Sequence, residues 1–565
     1  MPLARGASFV RSLSGVGLAL GTLFFAASLT PSLVPRTFLT QGVLAGASFA
    51  AGYGAGVVWR GLWTYLQFRE PPERWRRATN LAMAALCLVV AIAFLARASA
   101  WQNSIRAVME LPAVDTAHPF KLSLTAVATF GAFLALARLF RLAARFVAGK
   151  AMRVLPRRIA AVAGGAVAAA LFWSLANGVL IRTSFHLLDA SFREYDALLE
   201  PERSVPDDPL QSGSSASLVD WRDLGRAGRE FVASRSRSAD IAGLTGRAAK
   251  QPIRLYVGLR ARETAEERAR LALDELKRTG AFERAVLVVT TPTGTGWIDP
   301  SAMSAVEYLH DGDVASVALQ YSYLSSPLSL LAQPEYGADS ARALFGAVYR
   351  HWTALPREKR PRLYLHGLSL GAMNSEASAE LFEMIGDPVD GALWSGPPFG
   401  SRLWRTMTAG RNPGSPAWLP EFRDGRFVRF MNQHGSPVAA DAPWGAMRVV
   451  YLQYASDAVT FFDYRDFYRR PAWLEPVRGP DVSPELRWYP LVTALQLALD
   501  MAVATTTPMG YGHVYAPRHY VDAWVAVSGA QRPAEELERL KRHLSKNAER
   551  AVIDDGESGY GNRGG

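Results

Sequence analysis

Along the chain, hydrophobic positions come first in long unbroken runs and later in short ones separated by amphipathic stretches. Residues 13–34, 42–62, 78–96, 122–139 and 159–181 are each apolar for about 20 positions. At about 1.5 Å per residue such a helix crosses a hydrocarbon core about 30 Å thick. The pattern predicts five transmembrane helices, hence a membrane domain over residues 1–182. The first run also fits a cleaved signal peptide, since Arg5 and Arg11 precede it and small residues follow. Gly164 and Gly165 in the fifth run suggest close helix packing.

From residue 251 the rhythm changes. The runs IRLYVGL (253–259), RAVLVVTT (284–291), VASVALQY (314–321), RLYLHG (362–367), GALWSG (391–396) and RVVYLQY (448–454) are short and rich in β-branched residues. Helical patterns at 263–278, 301–310, 340–355 and 370–384 lie between them. Strands alternating with helices predict an α/β domain over residues 251–530, a doubly wound, mostly parallel sheet, in which ligands bind beyond the carboxyl ends of the strands. Residues 183–250 contain the turn-rich VPDDPLQSGSSAS (205–217) and read as a juxtamembrane linker with short helices. Residues 531–565 read as a charged helix (533–550) and a disordered tail.

Charge adds an orientation. The chain carries 62 Lys and Arg against 51 Asp and Glu, a net +11. Arg69, Arg74, Arg76 and Arg77 follow the second run, and Arg141, Arg145, Lys150, Arg153, Arg157 and Arg158 follow the fourth, whereas Arg36 alone lies between the first and second. The positive-inside rule puts the N-terminus and both basic loops in the cytoplasm. An odd number of crossings then puts the α/β domain outside it, on a multi-pass protein of the cell (inner) membrane. Much of the positive excess faces anionic lipid headgroups, and no basic stripe with interleaved aromatics points to a nucleic-acid partner. The single cysteine, Cys87, excludes an intrachain disulfide framework and a cysteine zinc site. No acidic residue interrupts the runs, which argues against a proton or ion pathway through them.

The stretch LYLHGLSLGAMNSE (363–376) places Gly367-Leu368-Ser369-Leu370-Gly371 where a predicted strand gives way to a predicted helix. In a nucleophile elbow the turn is so tight that Gly367 and Gly371 must be small, and the helix dipole faces developing negative charge. A serine nucleophile needs a base and a group to orient it, in the chain order serine, acid, histidine. Asp457 stands just past the last predicted strand and is preferred over Asp441, which precedes it, and Asp463, which lies further on. Of two later histidines, His513 lies in the glycine-rich GYGHVY and His519 inside a predicted helix, where packing is the simpler role. An oxyanion site calls for the N–H of Leu370 and one from TPTGTGW (291–297), with Thr293 and Gly294 as candidates.

These residues carry a resemblance. The soluble part resembles an α/β-hydrolase domain, and with its five N-terminal crossings the chain resembles a bacterial family of membrane-anchored α/β-hydrolases, most specifically through HGLSLG, QYASDAV and GYGHVY. The resemblance implies Ser369 as nucleophile, Asp457 as acid and His513 as base. One departure is visible: the family sheet has a strand just before the histidine, whereas residues 491–504 read as a helix. The expected activity is hydrolysis of an ester through an acyl-enzyme, without metal or organic cofactor, on a small-molecule or lipid ester, with membrane lipids as partners. The segment PPFGSRLWRTMTAGRNPGSPAWLPEF (397–422), with SYLSSPLSLL (322–331), is a candidate lid. An acyltransferase or a peptidase using the same triad, or a transport or scaffold protein with an inert hydrolase domain, are the alternatives.

Overall fold

The computed structural model describes residues 14–68, 72–174, 193–194, 196–200, 203–324, 326, 329, 335–379, 386–439, 441–475 and 477–560. Two compact units emerge. One comprises Met1–Thr183, Phe462–Leu474 and Pro480–Pro508, the other Ser184–Phe461, Glu475–Gly479 and Met509–Gly565. The division differs from the sequence expectation, which assigned all of 251–530 to the α/β domain.

The first unit begins with helices α1 (Gly15–Ser28), α2 (Phe38–Tyr65), α3 (Glu73–Val108), α4 (Pro119–Ala151) and α5 (Arg157–Ser174). Among the described residues, α2, α4 and the Ala78–Val108 part of α3 are long and apolar enough to cross a membrane, which marks a multi-pass membrane protein. The first apolar run is shorter as a helix than expected. With 14 residues α1 spans about 21 Å, less than a hydrocarbon core of about 30 Å. Pro31 bars its continuation, because the residue before proline is pushed out of the helical region. The fifth run forms α5 as far as Ser174, and residues 175–181 lie outside the described residues. A Cβ on Gly164 would come within 2.5 Å of the Ala144 carbonyl oxygen of α4, so close packing holds there; Gly165 faces open space.

The loop between α1 and α2, TPSLVPR (30–36), contains two prolines, which lack an N–H, and adopts no regular structure that would pair its backbone. The helix Val492–Ala502, more than 450 positions downstream, supplies partners instead. Asp500 accepts the Leu33 N–H at 2.9 Å and forms an ion pair with Arg36 at 2.8 Å, both side chains fully buried. Gln496 Nε2 donates to the Thr30 carbonyl at 3.0 Å. Near the far end of α3, Ser104 and Ser483 share a hydrogen bond of 2.8 Å.

The second unit is built on a seven-stranded sheet: β1 (Ile253–Val257), β2 (Val286–Thr291), β3 (Val314–Leu319), β4 (Arg362–Leu368), β5 (Gly391–Ser395), β6 (Val428–Met431) and β7 (Arg448–Leu452), in the order β1-β3-β2-β4-β5-β7-β6. Every pairing is parallel. Parallel strands are covered on both faces, which is why these segments read as continuous apolar runs rather than alternating ones. Helices Ala265–Arg278 and Tyr336–Ala354 pack together on one face; Pro300–Leu309 and Pro517–Ser528 pack together on the other, as right-handed crossovers in this strand order require.

Six strands coincide with the six predicted runs. β6 was not expected: it is four residues long and carries Arg429, whose buried guanidinium donates to the carbonyls of Gly425 and Ala442 and lies 3.9 Å from the Trp444 ring centroid. The departure seen in the sequence is real and has a topological answer. Residues 492–502 are a helix of the first unit, and the sheet edge beside β7 is filled by β6, which precedes β7 in the chain.

Candidate active site

Ser369 occupies the single residue between β4 and the helix Leu370–Ser378. Its φ of 57° and ψ of −126° lie in a region that non-glycine residues avoid, so the turn stores strain. The flanking glycines explain how so tight a turn closes. A Cβ on Gly367 would fall 2.4 Å from the Gly371 carbonyl, and one on Gly371 would fall 2.2 Å from the Thr291 carbonyl oxygen at the end of β2. Neither position has room for a side chain. The Ser369 N–H donates to the Ser395 carbonyl of β5 at 2.9 Å, fixing the serine at the carboxyl edge of the sheet.

Asp457 lies past β7 on the same edge and is fully buried. Its Oδ1 accepts the Val459 N–H at 2.9 Å, and its Oδ2 accepts the Thr460 hydroxyl at 3.2 Å. That same Oδ2 lies 2.8 Å from His513 Nδ1 and accepts the Tyr515 hydroxyl at 2.8 Å. The rivals stand elsewhere: Asp463 caps a short helical turn in the first unit, accepting the Arg465 N–H, and Asp441 is exposed.

His513 is presented by a tight turn in which Gly510 N–H donates to the Val514 carbonyl at 2.8 Å and Gly512 N–H to Ser456 Oγ at 2.9 Å. The ring reaches the neighbour of Ser395, for a Cβ on Gly396 would come within 2.8 Å of His513 Cε1. Because a carboxylate only accepts, Nδ1 carries the proton in the neutral ring and the lone pair sits on Nε2. That nitrogen is buried and has no hydrogen-bond partner among the described residues.

The other histidines of the neighbourhood are structural. His519 lies 2.6 Å from the Tyr454 hydroxyl, and burial pushes its pKa down to about 3. His366, inside β4, lies 2.9 Å from the Leu393 carbonyl, packs near Tyr520 and Trp524, and is pushed down to about 4 by burial.

The backbone donors differ in availability. Leu370 is the first residue of its helix, so its N–H has no intrahelical acceptor. Thr293 and Gly294, expected as open donors, are both engaged: Thr293 N–H donates to the Trp297 carbonyl at 2.9 Å and Gly294 N–H to Ser326 Oγ at 3.1 Å. Backbone amides of such a loop find acceptors where no ligand takes them, one inside the loop and one on the segment after β3.

Sequence reading missed two side chains here. Tyr515 is a further donor to Asp457 Oδ2, beside Thr460 and His513, and its place two residues after His513 was the available signal. Glu376, on the helix that follows Ser369, is half-buried, and desolvation pushes its carboxyl up to about 7. It accepts the N–H groups of Leu403 and Trp404 and the Tyr451 hydroxyl, so it caps the helix Arg402–Ala409 from outside. Trp404 Nε1 donates to Gln453 at 2.7 Å, and Gln453 Nε2 to the Trp418 carbonyl at 2.9 Å. The candidate lid 397–422 is thereby pinned at several points. In its partner 322–331, residues 325, 327–328 and 330–331 lie outside the described residues.

Among the described residues no group of three His, Cys, Asp or Glu side chains is arranged to hold a metal ion. No curated protein and no solved structure matches the chain. A sequence profile described as the alpha/beta-hydrolase family matches residues 253–540, and one described as the N-terminus of that family matches residues 29–235. The sheet and the two matches lead to one conclusion: the chain belongs to the alpha/beta-hydrolase family, and that membership supports a hydrolytic role of the esterase or lipase type.

Proposed function

We propose that the protein is a membrane-anchored serine hydrolase that cleaves an ester through Ser369, His513 and Asp457. The observation that carries this reading is the 2.8 Å contact between His513 Nδ1 and Asp457 Oδ2 on the sheet edge where Ser369 sits in its strained turn. His513 Nε2 takes the proton from Ser369 Oγ as the oxygen attacks the ester carbonyl. The imidazolium, steadied by Asp457, returns the proton to the departing alcohol. Water, deprotonated by the same nitrogen, then releases the acid from the acyl-enzyme. Leu370 N–H stabilises the oxyanion. Gly294 N–H is the second donor, exchanging the Ser326 hydroxyl for substrate oxygen; Thr293 N–H, which closes a turn onto Trp297, is less available.

An ester with an apolar acyl chain fits a site carried on a membrane protein, and membrane lipids are its natural source. The arginine-rich loops after α2 and α4 support an inner-membrane protein with a cytoplasmic N-terminus and an extracytoplasmic catalytic domain. Consistent with that, the arginine of the α1–α2 loop, Arg36, is neutralised by Asp500.

The test is fluorophosphonate labelling of the purified full-length protein beside Ser369→Ala, followed by p-nitrophenyl esters of increasing chain length. Labelling and turnover lost in Ser369→Ala, with an unchanged thermal midpoint, is the expected result. Persistent labelling assigns the nucleophile elsewhere, and a preference for the shortest chains removes the lipid ester.

A further inference from the structure

We infer that Phe462–Leu474 is a membrane foot, a surface that lies in the headgroup layer of the bilayer crossed by this protein's own helices and binds anionic lipid headgroups. The segment belongs to the membrane unit, although it sits between β7 and His513 in sequence.

Its position follows from two sets of contacts. Phe467 accepts the Leu491 N–H at 2.8 Å, and the Asp466 carbonyl accepts Trp488 Nε1 at 3.0 Å, so the segment is tied to the start of the helix Val492–Ala502. That helix in turn holds the loop preceding α2 through Asp500 and Gln496, and Ser483 holds the end of α3 through Ser104. Where a crossing helix gives way to loop, the chain has reached the edge of the hydrocarbon, because lipid-exposed loop backbone is not tolerated within it. The helix Val492–Ala502 has 11 residues, about 16 Å of length. The segment therefore lies within reach of the interface.

Its chemistry matches that depth. Tyr464 and Tyr468 are 56% and 68% exposed, and Arg465, Arg469 and Arg470 beside them are exposed, as is Arg487 nearby. Two of the acids cap a helical turn: Asp463 accepts the Arg465 N–H, and buried Asp466 accepts the Asp463 N–H, a reciprocal cap. Glu475 and Glu485 are exposed acids beside the segment, set against the four exposed arginines. The outward surface is thus aromatic and cationic, the combination that settles at headgroup level and is drawn to anionic lipid.

The single native cysteine makes the test direct. In a Cys87→Ser background, Tyr464→Cys and Tyr468→Cys are labelled with NBD in the full chain. The protein is reconstituted in nanodiscs of phosphatidylcholine with or without phosphatidylglycerol, with Leu136→Cys on α4 as a hydrocarbon reference. Quenching at both positions by lipid doxyl groups near the headgroup, strengthened by phosphatidylglycerol, is expected. Loss of that strengthening is expected when Arg465, Arg469 and Arg470 are changed to Gln, with the thermal midpoint reporting that the variant is folded. Quenching by aqueous iodide alone, or protection from both quenchers as a second copy or another protein would give, overturns the inference.

Discussion

His513 Nδ1 and Asp457 Oδ2 lie 2.8 Å apart across 56 positions of sequence. The carboxylate decides which ring nitrogen carries the proton, and an amide in its place would favour the wrong tautomer. Asp457→Asn is expected to lower kcat by about 10⁴, with KM little changed. Steady-state kinetics on a soluble ester checks this, and a fall of less than tenfold would remove Asp457 from the mechanism.

Tyr515 donates to the same carboxylate oxygen and thereby tempers its charge. Tyr515→Phe removes a hydrogen bond to a charged group, worth about 1.5–3 kcal/mol, and with it part of what holds Asp457 against His513, so kcat should fall by about tenfold or more with KM little changed. A kcat equal to that of the wild type would make Tyr515 a packing residue.

Ser369 holds a φ of 57° that glycine adopts freely. Ser369→Gly should abolish turnover and yet stabilise the fold: relief of about 1–3 kcal/mol of strain outweighs the 0.5–1 kcal/mol or so of extra chain entropy that glycine brings. A raised thermal midpoint in an inactive variant is the expected outcome; a lowered one would show that the serine side chain contributes packing that offsets its strain.

Arg36 and Asp500 are both fully buried, so removing one leaves the other uncompensated. Asp500→Ala should cost about 3–5 kcal/mol, whereas Arg36→Met combined with Asp500→Leu should recover much of it. Thermal midpoints in one detergent compare the variants, and an Asp500→Ala protein as stable as its parent would contradict the pairing.

Glu376 gives the segment 397–422 a pH dependence of known sign. Its folded pKa, about 7, lies above the ordinary 4.5. The unfolded chain therefore loses this proton first, and stability falls as pH rises from about 4.5 to 7. Hydrogen exchange of the helix Arg402–Ala409, corrected for intrinsic rate, should accelerate over that window in the wild type. In Glu376→Gln, which keeps an acceptor and loses the titration, the dependence should vanish.

Much of the architecture is local and was legible. Continuous apolar runs mark strands covered on both faces, so six of the seven strands could be read directly. β6 could not, because only four residues form it and one of them is Arg429, whose burial depends on the Trp444 ring and the carbonyls of Gly425 and Ala442. The glycines beside Ser369 were legible for the same local reason: a turn that tight excludes side chains whatever surrounds it.

What the sequence by itself determined is the set of elements and the order of the candidate groups, since hydropathy period, helix length and turn chemistry act between residues a few positions apart. Tertiary structure alone decided that Tyr515 joins His513 on the Asp457 carboxylate, that Thr293 spends its amide inside its own loop and Gly294 on Ser326, and that residues 480–508 fold onto the membrane helices rather than the sheet. Those outcomes depend on contacts across tens to hundreds of positions, where complementary polar groups find each other only once the chain has collapsed. No short window of residues records such a pairing.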